Sequence, residues 1–305
     1  MTIIADLARW GPDASSTRVP TPRESAQYCE RLARTHYENF TVAHWLLPRE
    51  LRQHFANVYA YCRWADDLAD ETASAGEAER LLDWWADQLR RCYLGETWHP
   101  VFVALAETIR EFDLPIDPLA DLLVAFRQDQ RKTRYETFAE LLDYCRYSAN
   151  PVGRIVLRLG RCHAADRVQL SDQICTGLQL ANFWQDVARD YRRGRIYLPA
   201  ESLRRHGYTE EDFATGHCND AFRRMMAEQV ERAEQYLRGG APLVGMMPRH
   251  LRLQVALFAR GGLATLAAIR RQEYDVWTHR PALSKMAKLR IFAASWSSSL
   301  RGRVP

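Results

Sequence analysis

Apolar residues recur at three- and four-residue spacing along most of this chain, and strict strand alternation is rare. The pattern predicts helices over Arg49–Glu71, Glu77–Leu94, Val101–Phe112, Pro118–Gln130, Phe138–Ser148, Ser171–Tyr191, Asn219–Gly239, His250–Tyr274 and Lys285–Leu300. Punctuation between them is short: Gly76, Gly95, Pro115, Gly160, Gly194 with Pro199, Gly239–Gly240 and Pro281. Pro12, Pro20 and Pro22 with Ser15, Ser16 and Thr17 mark residues 1–23 as a flexible leader. From 24 to 305 no linker divides the chain, which reads as a single all-α domain. Helices of about 15–25 residues reach roughly 22–37 Å, long enough to wall a central apolar cavity.

Two helices carry acids inside otherwise apolar stretches. In Tyr59-Ala-Tyr-Cys-Arg63-Trp-Ala-Asp66-Asp67-Leu-Ala-Asp70-Glu71, Asp66 and Asp70 stack at i,i+4, with Arg63 and then Tyr59 on the preceding turns. Asp67 and Glu71 lie about 100° further round the helix. In the second helix Gln179, Asn182, Asp186 and Asp190 form one polar face. Like charges one turn apart repel, and the intervening Leu, Ala, Phe, Trp and Val predict partial burial of the acids, which is costly without a counter-charge. A divalent cation answers both problems. The all-oxygen donors point to Mg²⁺, which completes its shell with water and substrate phosphate. A diphosphate substrate held through metal is the chemistry these faces suggest.

Composition narrows the alternatives. The 305 residues are 47% hydrophobic and 26% charged, which fits a soluble globular chain with a sizeable core. The 42 Lys and Arg against 38 Asp and Glu are spread along the sequence, with no concentrated patch for nucleic acid. Seven cysteines without a CxxC pair suit a reducing, cytoplasmic setting. Met1–Trp10 has neither a basic start nor a long apolar run, and Val255–Ile269 is interrupted by Arg260 and short for a bilayer span. On the last helix Leu289, Phe292, Ala293, Trp296 and Leu300 fall at helical spacing among Lys285, Lys288, Arg290, Arg301 and Arg303. That face either packs on the core or lies on the inner face of an anionic membrane as a peripheral contact.

With both acidic motifs in view, the chain resembles the squalene/phytoene synthase family of head-to-head isoprenyl enzymes, from about His36 to Lys288. The resemblance rests on Tyr59–Glu71, on Gln179–Asp190, and on the Arg192-Arg193-Gly194-Arg195-Ile196-Tyr197-Leu198-Pro199 that follows. It implies an all-α isoprenoid synthase fold around a central apolar cavity, and Mg²⁺ as cofactor, two or three ions held by Asp66, Asp70, Asn182, Asp186 and Asp190. Tyr59 and Arg63 join these acids in catalysis, Arg63 touching diphosphate, pairing with Asp66 or Asp67, or doing both. Gln179, Arg195 and Tyr274 are expected at the substrate, with packing as the alternative for Tyr274.

Within the family the details resemble the bacterial hydroxysqualene synthase branch. Tyr37 and Asn39 stand where condensing members carry small hydroxyl residues, Asn150-Pro151 where they carry a small residue, and Gln185 where they carry Arg. The branch implies that presqualene diphosphate and water give hydroxysqualene and diphosphate. The alternatives are a condensing synthase making presqualene diphosphate, squalene or phytoene, and a non-catalytic assembly factor of the same fold. Partner enzymes implied are a presqualene diphosphate synthase and a hydroxysqualene reductase. No motif for NADPH is present, and none is expected. Asn150-Pro151 either kinks one helix, freeing the Tyr147 carbonyl, or ends it.

Overall fold

The computed structural model describes residues 3–14, 18–35, 47–72 and 74–301. Among these, α-helix is the only regular element besides one isolated bridge between Arg134 and Ile196. Tyr37 and Asn39 lie outside the described residues. Where the sequence reads as one domain, the chain sorts into two compact units, Met1–Arg131 with Ile155–Arg161, and Lys132–Arg154 with Cys162–Pro305. No linker signals the division, because one boundary falls inside a helix and another in the turn at Arg131–Lys132.

The first unit holds α1 (Ile3–Trp10), α2 (Pro22–Thr35), α3 (Arg49–Asp70), α4 (Ala75–Tyr93), α5 (Pro100–Phe112) and α6 (Asp117–Asp129). The stretch expected as a flexible leader contains α1, and Trp10 at its end is buried. Asp6 accepts from Tyr28 Oη at 2.7 Å, and Tyr28 Oη accepts from Trp64 Nε1 at 3.0 Å, so a hydrogen-bonded chain ties α1 through α2 to α3. Pro22 and Thr21 start α2, where Thr21 and Glu24 exchange the reciprocal bonds of a capping box. Trp64 stacks on Trp85 at 5.3 Å, Tyr61 stacks on Trp85 at 5.8 Å, and Phe102 closes on Trp85 at 4.5 Å. His99 stands edge-on to both tryptophans. Its Nδ1 accepts from Val101 N–H as the cap of α5, and complete burial drives its pKa well down, so it is a neutral core residue. Asn57, also fully buried, donates to the Ala104 carbonyl and Thr108 hydroxyl and pins α3 to α5.

The second unit is built around α9 (Ala165–Arg192). It starts six residues earlier than the apolar pattern indicates, since Ala164 at its N-cap offers no capping side chain. Before it come α7 (Phe138–Ser148) and α8 (Asn150–Leu159), which begins in this unit. Ala149, at φ −123° and ψ −48°, separates the two. Asn150-Pro151 therefore opens a new helix, with proline in a first turn that needs no N–H from it, and the kinked-helix alternative falls. Arg154 clamps Asp172 through two bonds of 3.1 and 2.7 Å, holding the start of α8 on α9. After α9 come α10 (Ala200–His206), α11 (Glu210–Thr215), α12 (Asp220–Gly240), α13 (Leu243–Met246), α14 (Arg249–Arg271) and α15 (Lys285–Arg301). By length and composition α14 is apolar enough to cross a bilayer, and half of that stretch is buried within the unit.

α9 and α12 approach until their backbones nearly touch. A β-carbon at Gly177 would lie 2.7 Å from Leu237 Cγ and 2.9 Å from its backbone nitrogen. A β-carbon at Gly262 on α14 would lie 2.9 Å from the same leucine and 2.9 Å from Leu178. Leu237 is thus a wedge seated in two glycine notches. Gly177→Ala should lower stability by about 1–3 kcal/mol through overpacking, read as a fall in melting temperature, and Leu237→Ala in that background should recover part of the loss. A melting temperature unchanged by Gly177→Ala would show that the notch has slack.

Candidate active site

Each acidic motif sits within its own unit. On α3 the core face runs through Asn57, Ala60, Tyr61, Trp64 and Leu68. Asp67 falls on its edge, so its side chain is only 2% exposed, against 49% for Asp66. Asp70 is exposed. Of the acids expected to be partly buried, Asp66 is so and Asp67 is enclosed, while Asp70, the last residue of α3, is exposed. Arg63 pairs with Asp67 directly and reaches Asp66 and Glu71 at 3.6 Å each. The intrahelical ion pair expected of Arg63 is therefore present. Burial nonetheless lifts the Asp67 pKa to about 6 against the pull of Arg63, and its Oδ2 has no hydrogen-bond partner. Tyr59, half-buried against Ala33 and Ala56, has its hydroxyl pushed up by burial. Asp67 is the residue underrated from sequence; its signal was the i,i+4 spacing from Arg63.

On α9, Gln179 and Asp186 are half-buried and Asn182 is exposed. Asp190 has its pKa raised to about 6, first by burial and then by the charge of Asp186 one turn away, against the opposing pull of Arg195. The repulsion expected from the spacing is therefore present. Arg195 and Asp190 line one small cavity with Phe183, Val187, Tyr197 and Phe213. The chain gets there by a turn after α9: Gly194 takes φ +79°, and Arg195 N–H bonds back to the Asp190 carbonyl at 2.9 Å. Ile196 N–H then bonds to the Thr133 carbonyl, fixing the loop against the start of this unit.

A strap after α14 covers the middle of the motif. Arg280 grips Asp186 with two bonds, Nε to Oδ1 at 2.5 Å and Nη2 to Oδ2 at 2.9 Å. The same guanidinium donates to Gln185 Oε1 at 3.0 Å, while Gln185 Nε2 donates to the Pro281 carbonyl. Both ends of the Gln185 amide are thus committed to the strap, which places it as a positioning residue for that segment. Upstream, Asp275 accepts from the backbone of Trp277 and Thr278, and Trp277 packs among Tyr191, Phe213 and Phe222. Tyr274 sits in the turn that starts the strap at φ +64°, beside Glu273 at +51°. The residue brought onto the motif is Arg280, which local sequence gave no means of finding.

Asn150 is buried and accepts from Thr176 Oγ1 at 2.9 Å, itself buried on α9 three residues before Gln179. The polar face of α9 thus extends one step inward through a residue that the sequence pattern had passed over.

The acids suit a hard cation in chemistry and charge. Among the described residues no group of three or more carboxylate, histidine or cysteine side chains forms a ready-made cage. Arg280 on Asp186 shows that this position already draws a cation.

A family model described as squalene/phytoene synthase matches residues 33–287. Phytoene synthase of Arthrospira platensis is 31% identical over 94% of this chain and 96% of its own length. The 15-cis-phytoene synthase of a Synechocystis strain is 30% identical over 93% and 88%. Among solved structures, squalene synthase HpnC from Alicyclobacillus acidocaldarius is 45% identical with a TM-score of 0.80, covering 83% of this chain and 95% of that one. A dehydrosqualene synthase in complex with ligand is 26% identical with a TM-score of 0.83, over 92% and 98%. The fold is accordingly the all-α isoprenoid synthase fold.

The raised pKa of Asp190 has a cost in stability. Its folded value lies above the ordinary 3.8, so stability present below about pH 4 is lost as the pH rises through about 6. With chelator present, Asp190→Asn should melt higher than wild type at pH 8, by on the order of 2 kcal/mol, and the gap should close by pH 4. Parallel pH profiles for the two proteins would remove this account of the site.

Proposed function

The chain belongs to the squalene/phytoene synthase family of isoprenoid biosynthesis, and on that footing we propose that it converts presqualene diphosphate and water to hydroxysqualene and diphosphate. The observation that carries this reading is the buried Asn150–Thr176 pair beside the acidic face of α9. Departure of diphosphate from a cyclopropylcarbinyl ester leaves a carbocation, which ends by losing a proton, accepting hydride or adding water. Adding water requires a single held molecule in an otherwise apolar wall until the skeleton has rearranged. Asn150 spends its Oδ1 on Thr176, which fixes the amide and leaves its NH₂ as the donor for that water. The 45% identity to a squalene synthase, against 31% to a phytoene synthase, favours a thirty-carbon substrate.

The remaining residues take roles that follow from their charge. Asp66 and Asp70 on α3, and Asn182, Asp186 and Asp190 on α9, are the oxygen donors that would hold Mg²⁺, which when bound draws negative charge from the departing diphosphate. Arg63 keeps the first acidic face in one rotamer set by pairing with Asp67. Arg195, beside Asp190, offers a guanidinium to diphosphate oxygens. Gln179, half-buried on α9 three residues after Thr176, stays with the substrate set on the resemblance. No reductant enters this balance: the hydroxyl oxygen and the released proton both come from water. Tyr37 and Asn39 stay with the substrate set on the resemblance alone.

A second reading, head-to-head condensation of two prenyl diphosphates, is favoured by the phytoene synthases among the relatives. With presqualene diphosphate and Mg²⁺ in ¹⁸O-water, the hydration reading expects a labelled C30 alcohol, with or without NADPH, and intact farnesyl diphosphate when that is offered alone. Asn150→Ala should shift product toward olefins while diphosphate release continues. Squalene formed only with NADPH, or consumption of farnesyl diphosphate alone, assigns the chain to the condensing reading.

The Arg280–Asp186 pair gives an independent check on the metal donors. Arg280→Gln should bind Mn²⁺ about tenfold more tightly in the absence of substrate, because a charged hydrogen-bonding competitor is gone. Free Mn²⁺ counted by electron paramagnetic resonance measures this, and equal affinities would take Asp186 out of the donor set.

A further inference from the structure

The last helix leaves its apolar face unburied. On α15, Met286 and Leu289 are each 61% exposed and Trp296 is 49% exposed; with exposed Ala293 they fall at spacings of three, four and three, a single stripe along the helix. The helix has no acidic residue, while Lys285, Lys288 and Arg290 border the stripe. Phe292 stacks on Trp296 and stiffens it. Of the face read from the sequence, Leu289, Ala293 and Trp296 are exposed and Phe292 is partly buried, while Ser295, on the opposite side, is fully buried.

Beside the stripe lies a groove of about 480 Å³, lined by Arg238 at the end of α12, Arg260 and Leu263 on α14, and Arg290, Ile291 and Ala294 on α15. No acid lines it. Arg238 is paired with Glu234, but that carboxylate is also taken by Arg270. Arg260 donates to the neutral Ser298 hydroxyl at 2.7 Å, and its buried Nε has no partner. Arg290 is exposed at the mouth. The groove therefore gathers more guanidinium charge than it neutralises, with an apolar floor between the charges.

We propose that α15 lies in the surface of an anionic bilayer, its Met286–Leu289–Trp296 stripe among the acyl chains, and that the Arg238–Arg260–Arg290 groove receives the phosphate of a phospholipid headgroup. Each half explains what the other leaves open. An exposed apolar stripe alone suits any apolar partner, but cations on both of its borders select a negatively charged surface. A second copy of this chain would set like charges against each other across the stripe. A guanidinium cluster alone suits any anion, but an apolar floor opening beside an exposed apolar helix suits an amphiphile, whose phosphate and first methylenes it would hold together. The consequence is a protein that meets long-chain isoprenoids where they are dissolved, a point that does not rest on which isoprenoid reaction it runs.

The test uses the whole protein and flotation with vesicles of phosphatidylcholine alone or mixed with phosphatidylglycerol. Wild type should float with the mixed vesicles only, and high salt should release it. Arg290→Gln should lower partitioning about fivefold and Arg290→Glu more than tenfold, at roughly one such factor per unit of charge. Leu289→Ser with Trp296→Ser should reduce binding to the same vesicles. All of these positions are exposed, so unchanged melting temperatures are expected and are measured alongside. Inorganic phosphate, added as a soluble competitor, should not raise the melting temperature as vesicles do. Protein left unbound by mixed vesicles, equal binding to neutral ones, indifference to Arg290→Glu, or stabilisation by inorganic phosphate alone each overturns the proposal, the last by assigning the groove to a soluble anion.

Discussion

Two carboxylates one turn apart on a half-buried helix repel each other, and much of the second unit answers that repulsion. Burial and the charge of Asp186 together raise the Asp190 pKa to about 6, even with neighbouring arginines drawing it down. Cationic help comes from two sides. The turn after α9 returns Arg195 to Asp190, and the strap after α14 lays Arg280 on Asp186. The strap is itself anchored by Asp275 and Trp277, and the turn by the Ile196–Thr133 bond. Polar residues held against their own repulsion are the usual mark of a site selected for ligand chemistry at the expense of stability.

The parts legible in the sequence were those with a local period. Nine predicted helices appear with ends shifted by a few residues, since a three- and four-residue apolar rhythm is set by neighbours along the same turn. Both acidic faces were visible for the same reason. What the rhythm could not carry was depth: Asp66 and Asp67 are adjacent in sequence, yet one is half exposed and the other enclosed, because the tryptophan cluster lies to one side of α3. Nor does period reach across the chain. Arg280 meets Asp186 over ninety-four residues, and Thr176 meets Asn150 over twenty-six. The helices at Ala200–His206 and Glu210–Thr215 were passed over because they span only about two turns each, too little for an apolar period to declare itself.

Asn150 and Gln185 show how composition and placement differ as evidence. From sequence they were two of three departures of the same kind, polar groups introduced near a reaction chamber. In the fold one is a fixed amide facing its own helix neighbour and the other is a cleat for a strap. The distinction arises because an amide has two ends, and where each end is spent decides what remains for substrate.

Leu237, lodged between Gly177 and Gly262, bears on how this chain can diverge. A wedge that fits two notches on two different helices removes the freedom of any of the three positions to drift singly. A smaller residue at 237 eases but does not remove the clash at either glycine, since Gly177 also faces the 237 backbone and Gly262 also faces Leu178, and it leaves two hollows at once. The three sites should therefore change as a set among descendants, and a segment of α12 exchanged between distant relatives will carry its leucine into the wrong sockets unless both glycine positions travel with it.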